Sequence, residues 1–352
     1  MGITARVPGI RGHRVLRALT GPVVTVVALA AAVAAGCGAQ PAGVGGPAPE
    51  GSPPTEAPSL SAGDHAFTLV HDGRARRYVV HVPTAVADSP ALVMALHGGG
   101  GTADQFKSEN GMDEVADRNG FVAVYPDGTG AFDGRLYTWN SGHNCCGYAL
   151  DQKVDDVGFL LAVLNDLARR QRYDDHRIYV TGHSNGAMMA YRLAAEAADR
   201  VAAVVPVGGA MALSAPAPTR PVPLLHIHSV DDPRALYEGG EGPPFPLTNR
   251  SVPHERVMDG LDFWADRNGC RPEPVPVEQR TGQLGNRGQT LTRLRWSGCT
   301  DGATVEHLRF TGVGHGWPGV EVGRMWQRLL GPSTTMVNAS EEVWAFASRF
   351  RR

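Results

Sequence analysis

Five short apolar runs without internal polar alternation constrain most strongly what this chain can fold into. They lie at 91–96, 121–125, 178–181, 201–207 and 223–228. Between two of them, apolar residues recur at helical spacing from Val157 to Leu167. Unbroken apolar runs are typical of parallel strands buried on both faces, and their alternation with helices implies right-handed crossovers. We therefore predict an α/β fold with a mostly parallel central sheet and helices on both faces.

Turn and capping signals add further elements to this pattern. Apolar and β-branched residues on both sides of Asp72-Gly73 predict an antiparallel hairpin at the start of the folded part. Either Asp155 or Asp156 is expected to cap the helix that follows, as a cap and not as a catalyst. Ser340 and the acidic residues after it predict a C-terminal helix at 343–350. The segment 271–298 is interpreted as an inserted hairpin or loop.

Charge and motif content exclude several classes of protein. Lys+Arg 33 against Asp+Glu 35 leaves no basic excess for binding a phosphate backbone, so a nucleic-acid partner is not expected. The chain has no HExxH or CxxC pattern, and we therefore predict no metal site. We also predict no cofactor.

The first 36 residues have the composition of an export signal. They contain four arginines, no acidic residue and an apolar run that ends at Gly36-Cys37. The order Val33-Ala34-Ala35-Gly36-Cys37 resembles a bacterial lipobox, which makes Cys37 the candidate lipid attachment site. The alternative is a retained transmembrane helix, although the run is shorter than the roughly 20 residues that a span requires.

Three segments follow from this pattern: a signal peptide at 1–36, a tether at 37–62 and one catalytic domain at 63–352. The tether consists almost entirely of Gly, Pro, Ala and Ser, so it cannot bury enough apolar surface to offset its ordering entropy, and we expect it to be disordered. Without residues 1–36, 29 basic residues face 35 acidic ones, a formal charge of −6. Membrane contact is therefore expected only through a lipid anchor, and the protein is expected to be an exported monomer.

The most specific motif is Gly182-His183-Ser184-Asn185-Gly186, which lies between a predicted strand and a predicted helix. This is the context of a nucleophile elbow, a tight turn that presents a serine hydroxyl above the carboxyl edge of a sheet. We predict that Ser184 is the nucleophile. The alternative, a buried glycine-rich turn, does not explain why partner residues also follow in the expected order.

Candidate partners for Ser184 occur after two later strands. Asp231 and Asp232 follow the strand at 224–228, and His315 follows the strand at 305–310. A serine hydroxyl is a weak nucleophile, so His315 is expected to remove its proton and a buried carboxylate to orient the imidazole. Either aspartate could supply that carboxylate.

A glycine run after the first parallel strand supplies the fourth expected element. His97 is followed by four glycines, where a backbone N–H can face a developing negative charge. We expect this oxyanion hole to consist of the N–H groups of Gly99 and Asn185, the residue after the nucleophile. A phosphate-binding loop is the alternative, but the run lacks the Lys and Ser/Thr of a P-loop.

Six motifs together resemble the polyhydroxybutyrate depolymerase and feruloyl esterase group of α/β hydrolases, in particular its secreted bacterial lipoproteins. They are LHGGGG at 96–101, GFVAVYPDG at 120–128, WNSGHNCCG at 139–147, VDDVGFL at 154–160, RIYVTGHSNGAMMAYRLA at 177–194 and GHGWPG at 314–319. The resemblance implies an α/β-hydrolase fold and a serine esterase. It also places the triad acid at Asp232, although Ser229 stands where the family usually has glycine.

The resemblance also implies that Trp139 and Trp317 lie at the substrate site. A flat apolar ring beside a catalytic histidine would suit an acyl or aromatic group. The alternative is that both are core aromatics. The loop at 237–249 either borders the acyl pocket or is an inert surface loop.

The cysteines concern structure more than chemistry. Cys270 and Cys299 bracket the inserted segment and form the preferred disulfide in an exported protein. Cys145 and Cys146 either form a vicinal bridge or remain free. The buried-strand histidines His226 and His228 are expected to be satisfied core residues and not ligands.

The sequence thus predicts an exported serine ester hydrolase that acts through an acyl-enzyme on small-molecule, polymer or polysaccharide esters. Two alternatives stay open. One is an acyltransferase or peptidase with the same triad, and the other is a non-catalytic lipoprotein that binds envelope glycans or lipids.

Overall fold

The computed structural model describes residues 59–245 and 249–352. The signal peptide predicted at 1–36, Cys37 and the tether up to residue 58 lie outside these residues. At the described end of the tether, Leu60 packs against the core and its backbone N–H donates to Gln171 Oε1 at 2.8 Å. Leu60 therefore belongs to the folded body and not to a free spacer.

Within the described residues the chain forms twelve strands and eight α-helices. The strands are β1 Gly63–His71, β2 Arg74–Val82, β3 Leu92–Leu96, β4 Val122–Pro126, β5 Ile178–His183, β6 Ala203–Val207, β7 Leu224–Ser229, β8 Gly240–Glu241, β9 Pro253–His254, β10 Val275–Thr281, β11 Thr290–Trp296 and β12 Val305–Thr311. The helices are α1 Ala103–Asn110, α2 Met112–Asn119, α3 Gly147–Asp151, α4 Asp156–Ala168, α5 Asn185–Glu196, α6 Val257–Arg267, α7 Arg324–Leu330 and α8 Ala339–Ala347.

Ten of these strands form one sheet in the order β1-β2-β4-β3-β5-β6-β7-β12-β11-β10. The six strands from β4 to β12 in this order pair in parallel. The pairs at both edges of the sheet are antiparallel, and one of them is the hairpin predicted around Asp72-Gly73. The prediction of a mostly parallel central sheet is confirmed. The carboxyl ends of the parallel strands therefore lie along one edge, where the loops that follow them meet.

Helices cover both faces of the sheet because alternate residues of each strand point in opposite directions. In β3, Leu92, Met94 and Leu96 join a core that includes α4, α5 and α6, whereas Val93 and Ala95 join a second core with α1, α2 and α8. Every residue of β3 is buried. This two-sided burial explains why the strand reads as an unbroken apolar run.

The two neighbouring aspartates at the start of α4 have different roles. Asp155 is the N-cap, and its Oδ1 accepts a hydrogen bond from the Gly158 N–H at 2.9 Å. Asp156 is the first helical residue, and its fully buried carboxylate pairs with Arg76 at 2.8 Å. Its second oxygen accepts the Asn140 N–H at 2.8 Å. Asp155 is thus the cap, while Asp156 joins β2, α4 and the loop at Asn140.

The C-terminal helix starts and ends earlier than the sequence pattern predicts. Its N-cap is Asn338, whose side chain accepts from two backbone N–H groups in the first turn. The predicted opening residue, Ser340, instead lies inside the helix and donates its hydroxyl hydrogen to Asn110 O at 2.6 Å. The helix ends at Ala347 and not at Phe350. No helix within the described ranges is long and apolar enough to cross a membrane.

The segment at 271–298 forms a hairpin that extends the main sheet. Its strands β10 and β11 pair with each other, and β11 pairs with β12. A disulfide joins Cys270 to Cys299, the pair preferred from the sequence. The bond closes this segment at its base and limits the conformations open to the unfolded chain.

We expect Asp156→Ala to lower the free energy of unfolding by about 3–5 kcal/mol, because it leaves the Arg76 guanidinium buried without its partner. Asp155→Ala is the matched control. This variant loses a half-exposed cap and a partly exposed contact with His71, which together cost about 1 kcal/mol. Urea denaturation of both variants measures the difference, and equal losses would contradict the role given to Asp156.

Candidate active site

Ser184 lies in the sharp turn between β5 and α5. Its backbone has φ 57° and ψ −119°, a conformation that a residue with a side chain rarely adopts. A Cβ on Gly182 would collide with the Gly186 carbonyl, and a Cβ on Gly186 would collide with the carbonyls of Leu96 and His97. Both flanking glycines are therefore required by the close approach of β5, α5 and the end of β3, which is the geometry of a nucleophile elbow.

Three side chains from separate loops form a hydrogen-bonded line at the carboxyl edge. Ser184 Oγ lies 2.9 Å from His315 Nε2, and His315 Nδ1 lies 2.7 Å from Asp232 Oδ2. Ser184 follows β5, Asp232 follows β7 and His315 follows β12. The structure thus brings together the three residues that the sequence analysis named, in the order and contacts of a Ser-His-Asp triad.

The surroundings of Asp232 hold it as a carboxylate. Its Oδ1 accepts the backbone N–H groups of Arg234 and Ala235, both at 2.8 Å. Burial acts to raise the pKa of Asp232, but the charge of His315 and hydrogen bonds from His228 and His315 outweigh it and lower that pKa below its ordinary value. The residue can therefore orient His315 and balance its charge without taking a proton.

The neighbouring Asp231 has a different position. Its side chain is exposed and accepts the Gly312 N–H at 2.7 Å, while its own N–H donates to Ser229 Oγ at 3.2 Å. Asp231 therefore links the loops after β7 and β12, and does not face His315. The serine at position 229 supports this turn through its hydroxyl.

His183, the second residue of the elbow motif, supports His315 from below. Its Nε2 donates to the His315 carbonyl oxygen at 2.8 Å, and the two ring centroids lie 4.9 Å apart. Burial, with a smaller contribution from the charge of His315, lowers the pKa of His183 to about 3. His183 is therefore neutral at neutral pH. The sequence analysis did not predict this role for His183. Its position inside the elbow motif is the one sequence feature that could have indicated it.

The candidate oxyanion hole lies between the glycine run and the start of α5. A Cβ on Gly99 would lie 3.5 Å from Asn185 Cβ, so the two backbones are adjacent. Within 59–245 and 249–352, neither the Gly99 N–H nor the Asn185 N–H donates to a protein acceptor. Gly100 and Gly101, by contrast, donate to Tyr137 O and Gly98 O. The two free N–H groups beside Ser184 fit an oxyanion.

Comparison with known proteins agrees with this geometry. The family model described as esterase PHB depolymerase matches residues 77–240. The protein named "Putative esterase NocK" from Nocardia uniformis subsp. tsuyamanensis is 30% identical over 287 residues, 76% of this chain and 78% of NocK. The chain belongs to the esterase PHB depolymerase family. The domain matched is therefore a carboxylic ester hydrolase domain, as the sequence analysis predicts.

Other relatives are more distant or shorter matches. The bifunctional acetylxylan esterase/xylanase XynS20E of Neocallimastix patriciarum is 25% identical over 255 residues, 72% of this chain but only 33% of its own length. Feruloyl esterase B of Neurospora crassa is 32% identical over 126 residues, 34% of this chain and 39% of that enzyme. The chain thus spans about a third of each of these two relatives.

Solved structures agree on the fold alone. The crystal structures of native pOPH and native sOPH each have a TM-score of 0.51, at 12% and 15% identity, and each comparison covers 84% of this chain and 90% of the other. Together with the strand order, they confirm the predicted α/β-hydrolase fold.

The two tryptophans expected at the substrate site are core residues in the structure. Trp139 is fully buried, and its indole N–H donates to His97 O at 2.9 Å. Trp317 is 6% exposed and donates to Ser340 Oγ at 3.2 Å. Neither ring offers a wall to a substrate, so the structure favours the alternative of core aromatics. Trp139 instead holds the strand end from which the glycine run starts.

The Asn185 side chain has a role that sequence reasoning missed. Its Oδ1 accepts the Trp139 N–H at 2.7 Å, and its Nδ2 donates to Trp139 O and Ser141 Oγ at 3.1 and 3.0 Å. The Cys145 sulfur lies 3.4 Å from the same nitrogen, and Cys145 is bonded to Cys146. Asn185 therefore fixes the loop at 139–146 against the elbow.

Among the described residues one cluster has the geometry of a metal site. Asp64, His81 and Asp113 place their ligand atoms within 4.8 Å of one another, but the Lys107 ammonium pairs with both carboxylates at 2.7 and 2.5 Å. A cation of the protein therefore already occupies the centre of the cluster. The cluster lies at β1, β2 and α2, away from Ser184.

The loop at 237–249 is described except for residues 246–248. Tyr237 at its start is buried, whereas Phe245 is 37% exposed and lies 4.9 Å below the Arg234 guanidinium. Because Arg234 is two residues from Asp232, this part of the loop borders the triad. Its contact with an acyl group stays a prediction.

We expect Asp232→Asn to reduce kcat by about 10³–10⁴, because the amide cannot stabilise a protonated His315. The matched control is Asp231→Asn, which changes the adjacent exposed carboxylate and is expected to keep most of the activity. Steady-state hydrolysis of 4-nitrophenyl acetate by both variants measures the contrast. A larger loss in Asp231→Asn would contradict the assignment of Asp232.

Proposed function

We propose that this protein is a serine-dependent carboxylic ester hydrolase that works through an acyl-enzyme on Ser184. The hydrogen-bonded line from Ser184 through His315 to Asp232 is the observation that supports this most directly. The family assignment supports the reaction class.

In the proposed first half-reaction, His315 Nε2 takes the proton from Ser184 Oγ as the oxygen attacks the ester carbonyl carbon. The resulting oxyanion accepts hydrogen bonds from the N–H groups of Gly99 and Asn185. The tetrahedral intermediate collapses, the bond from the carbonyl carbon to the alcohol oxygen breaks, and His315 gives its proton to the leaving alcohol. The acyl group remains on Ser184.

In the second half-reaction, a water molecule replaces the alcohol. His315 takes a proton from the water as its oxygen attacks the acyl carbon, and then returns the proton to Ser184 Oγ while the carboxylic acid leaves. Asp232 remains ionised throughout and stabilises the imidazolium in both steps. Its lowered pKa supports this role.

We propose further that the alcohol part of the substrate is hydrophilic, as in an ester of a sugar or polysaccharide. A groove of about 670 Å³ lies along the carboxyl edge of the sheet, beside the glycine run. Its lining includes Tyr137, three arginines and three aspartates, namely Arg74, Arg76, Arg77, Asp104, Asp127 and Asp133. The charges balance, so a neutral ligand rich in hydroxyl groups fits better than an anion or an apolar chain.

The groove also has a suitable position. It lies at the end of β4, and β3 separates β4 from β5 in the sheet. Since neighbouring strands lie about 4.8 Å apart, the groove is roughly 10 Å from Ser184 along the same edge. The names of XynS20E and feruloyl esterase B, which are enzymes for acetylxylan and feruloyl esters, support the same substrate class.

We also propose that the chain is exported, with a signal peptide at 1–36, a tether that starts at Cys37 and ends before Leu60, and a catalytic domain that extends from Leu60 to residue 352. The disulfide between Cys270 and Cys299 supports an oxidising location. The lipobox-like order from Val33 to Cys37 supports lipid attachment at Cys37.

We expect Ser184→Ala to lose on the order of 10³ to 10⁶ in turnover of 4-nitrophenyl butyrate, because no nucleophile remains. A fluorophosphonate probe is expected to label the wild-type protein on Ser184 and to leave this variant unlabelled. Undiminished hydrolysis by the variant would overturn the mechanism. Folded wild-type protein that does not react with the probe would favour a non-catalytic binder.

For the groove, we expect Tyr137→Ala to raise the KM for acetylated xylo-oligosaccharide about tenfold, since loss of a stacking ring costs about 1.4 kcal/mol. Its KM for 4-nitrophenyl acetate, which does not reach the groove, is expected to stay unchanged. Tyr137→Phe keeps the ring and serves as the control. Equal effects of Tyr137→Ala on both substrates would contradict the groove as the sugar site.

A further inference from the structure

A buried line of hydrogen-bonding side chains ends at the triad acid. Tyr191 Oη lies 3.0 Å from His226 Nδ1, and His226 Nε2 lies 3.0 Å from His228 Nδ1. His228 Nε2 lies 2.9 Å from Ala235 O and 3.3 Å from Asp232 Oδ2. Tyr191, His226 and His228 are all at most 3% exposed. The line therefore runs from α5 through β7 to Asp232 without contact with solvent.

The partners at each atom determine which way the hydrogen bonds point. His228 Nε2 faces only acceptors, the Ala235 carbonyl and the Asp232 carboxylate, so this nitrogen must carry a hydrogen. Burial lowers the pKa of His226 well below its ordinary value, and that ring is neutral. With Nε2 of His228 protonated, its Nδ1 accepts from His226 Nε2–H, and His226 Nδ1 accepts from the Tyr191 hydroxyl. The Tyr191 and His226 donors thus point toward His228, whose own N–H donates to Ala235 O and also lies close to Asp232 Oδ2.

We propose that His228 is a positioning residue that holds Asp232 in place and sets the basicity of its carboxylate toward His315. The proposal rests on the proposed triad. Asp232 Oδ2 faces two imidazole N–H groups, one from His315 at 2.7 Å and one from His228 at 3.3 Å. The fixed chain behind His228 prevents its ring from turning its acceptor nitrogen to the carboxylate.

The effect on catalysis follows from sharing one carboxylate between two donors. Removal of the His228 donor concentrates negative charge on Oδ2, which strengthens its attraction for a protonated His315. The imidazolium is then more stable, and a higher pH is needed to remove its proton. The acid limb of the kcat/KM profile is therefore expected to move to higher pH. The other charged or titratable groups near Asp232 within the described part of the chain include His183, His254, Arg234 and the adjacent Asp231, and none of them is changed by this substitution.

The variant His228→Phe tests the proposal in the full chain. We expect kcat for 4-nitrophenyl acetate to fall at least about tenfold, as is usual when a partner that orients a functional ligand is lost, with KM nearly unchanged. The acid limb of its pH profile is expected to shift upward. His228→Gln, whose amide can donate to Asp232, is expected to recover much of kcat and to return the acid limb toward the wild-type position.

His307→Phe is the matched control. His307 is a fully buried neighbour whose Nδ1 donates to His226 O and whose Nε2 accepts from Tyr237, both at 3.0 Å, so its contacts do not reach Asp232. Its loss is expected to lower stability without moving the pH profile. If His228→Phe and His307→Phe lower kcat equally and both keep the wild-type acid limb, His228 has only a structural role and the proposal is wrong.

A measurement on the wild-type protein covers the case in which these variants do not fold. In nitrogen-15 NMR spectra of histidine-labelled protein, we expect the ring hydrogen on Nε2 in both His226 and His228, as their hydrogen-bond partners require. An Nδ1–H tautomer at His228 would overturn the donor direction. Failure of the proposed function itself is distinguishable, because Ser184→Ala would then keep its activity and the wild-type protein would not react with fluorophosphonate.

Discussion

The close contact of β3, β5 and α5 at the elbow is the constraint on which the site depends. Gly182 and Gly186 allow backbone segments to approach where any side chain would collide, and Ser184 keeps a positive φ as a result. Such strain is stable only when the surrounding structure fixes it. Here the fully buried β3 and the two apolar cores on either side of the sheet supply that rigidity. The position of Ser184 is therefore a property of the whole sheet and not of one loop.

A second condition concerns which groups around His315 could accept a proton from it. Burial, with a smaller contribution from the charge of His315, lowers the pKa of His183 to about 3 and that of His254 to about 4. His183 and His254 therefore cannot take the proton that, in the proposed mechanism, His315 removes from Ser184. Asp232 does not take it either, because its pKa is lowered. In the proposed mechanism, the proton on His315 therefore stays available for return to the substrate oxygen or to Ser184.

Much of this arrangement could be predicted from the sequence because it depends on local patterns. The parallel strands read as apolar runs, and Ser184, the two adjacent aspartates and His315 occur in the order that the strand sequence requires. The choice between Asp231 and Asp232 needed the loop geometry, since the turn determines which of two adjacent side chains faces His315. The family resemblance favoured Asp232, and the contact with His315 agrees with it.

The burial of the two tryptophans depends on contacts between distant segments. Trp317 is near His315 in sequence, yet α8 covers it, and Ser340 accepts its indole N–H. Trp139 is covered in the same way by His97 and Asn185. No local sequence pattern indicates that these distant segments bury the two indole rings. The expectation that His226 and His228 are satisfied core residues is correct. The direction of their hydrogen bonds, however, can be assigned only from the positions of Tyr191 and Ala235.

Asn185 combines a backbone role at the candidate oxyanion hole with a side-chain role in holding a neighbouring loop. Its backbone N–H lies beside Ser184 and has no acceptor within the part of the chain that the structure describes, while its side chain makes three hydrogen bonds to Trp139 and Ser141. Trp139 in turn binds the His97 carbonyl, directly before the glycine run that carries Gly99. The two N–H groups of the candidate oxyanion hole are thus tied to each other through one tryptophan. A displacement of either donor would strain these buried bonds, and preorganised donors of this kind stabilise a developing negative charge without the cost of reorientation.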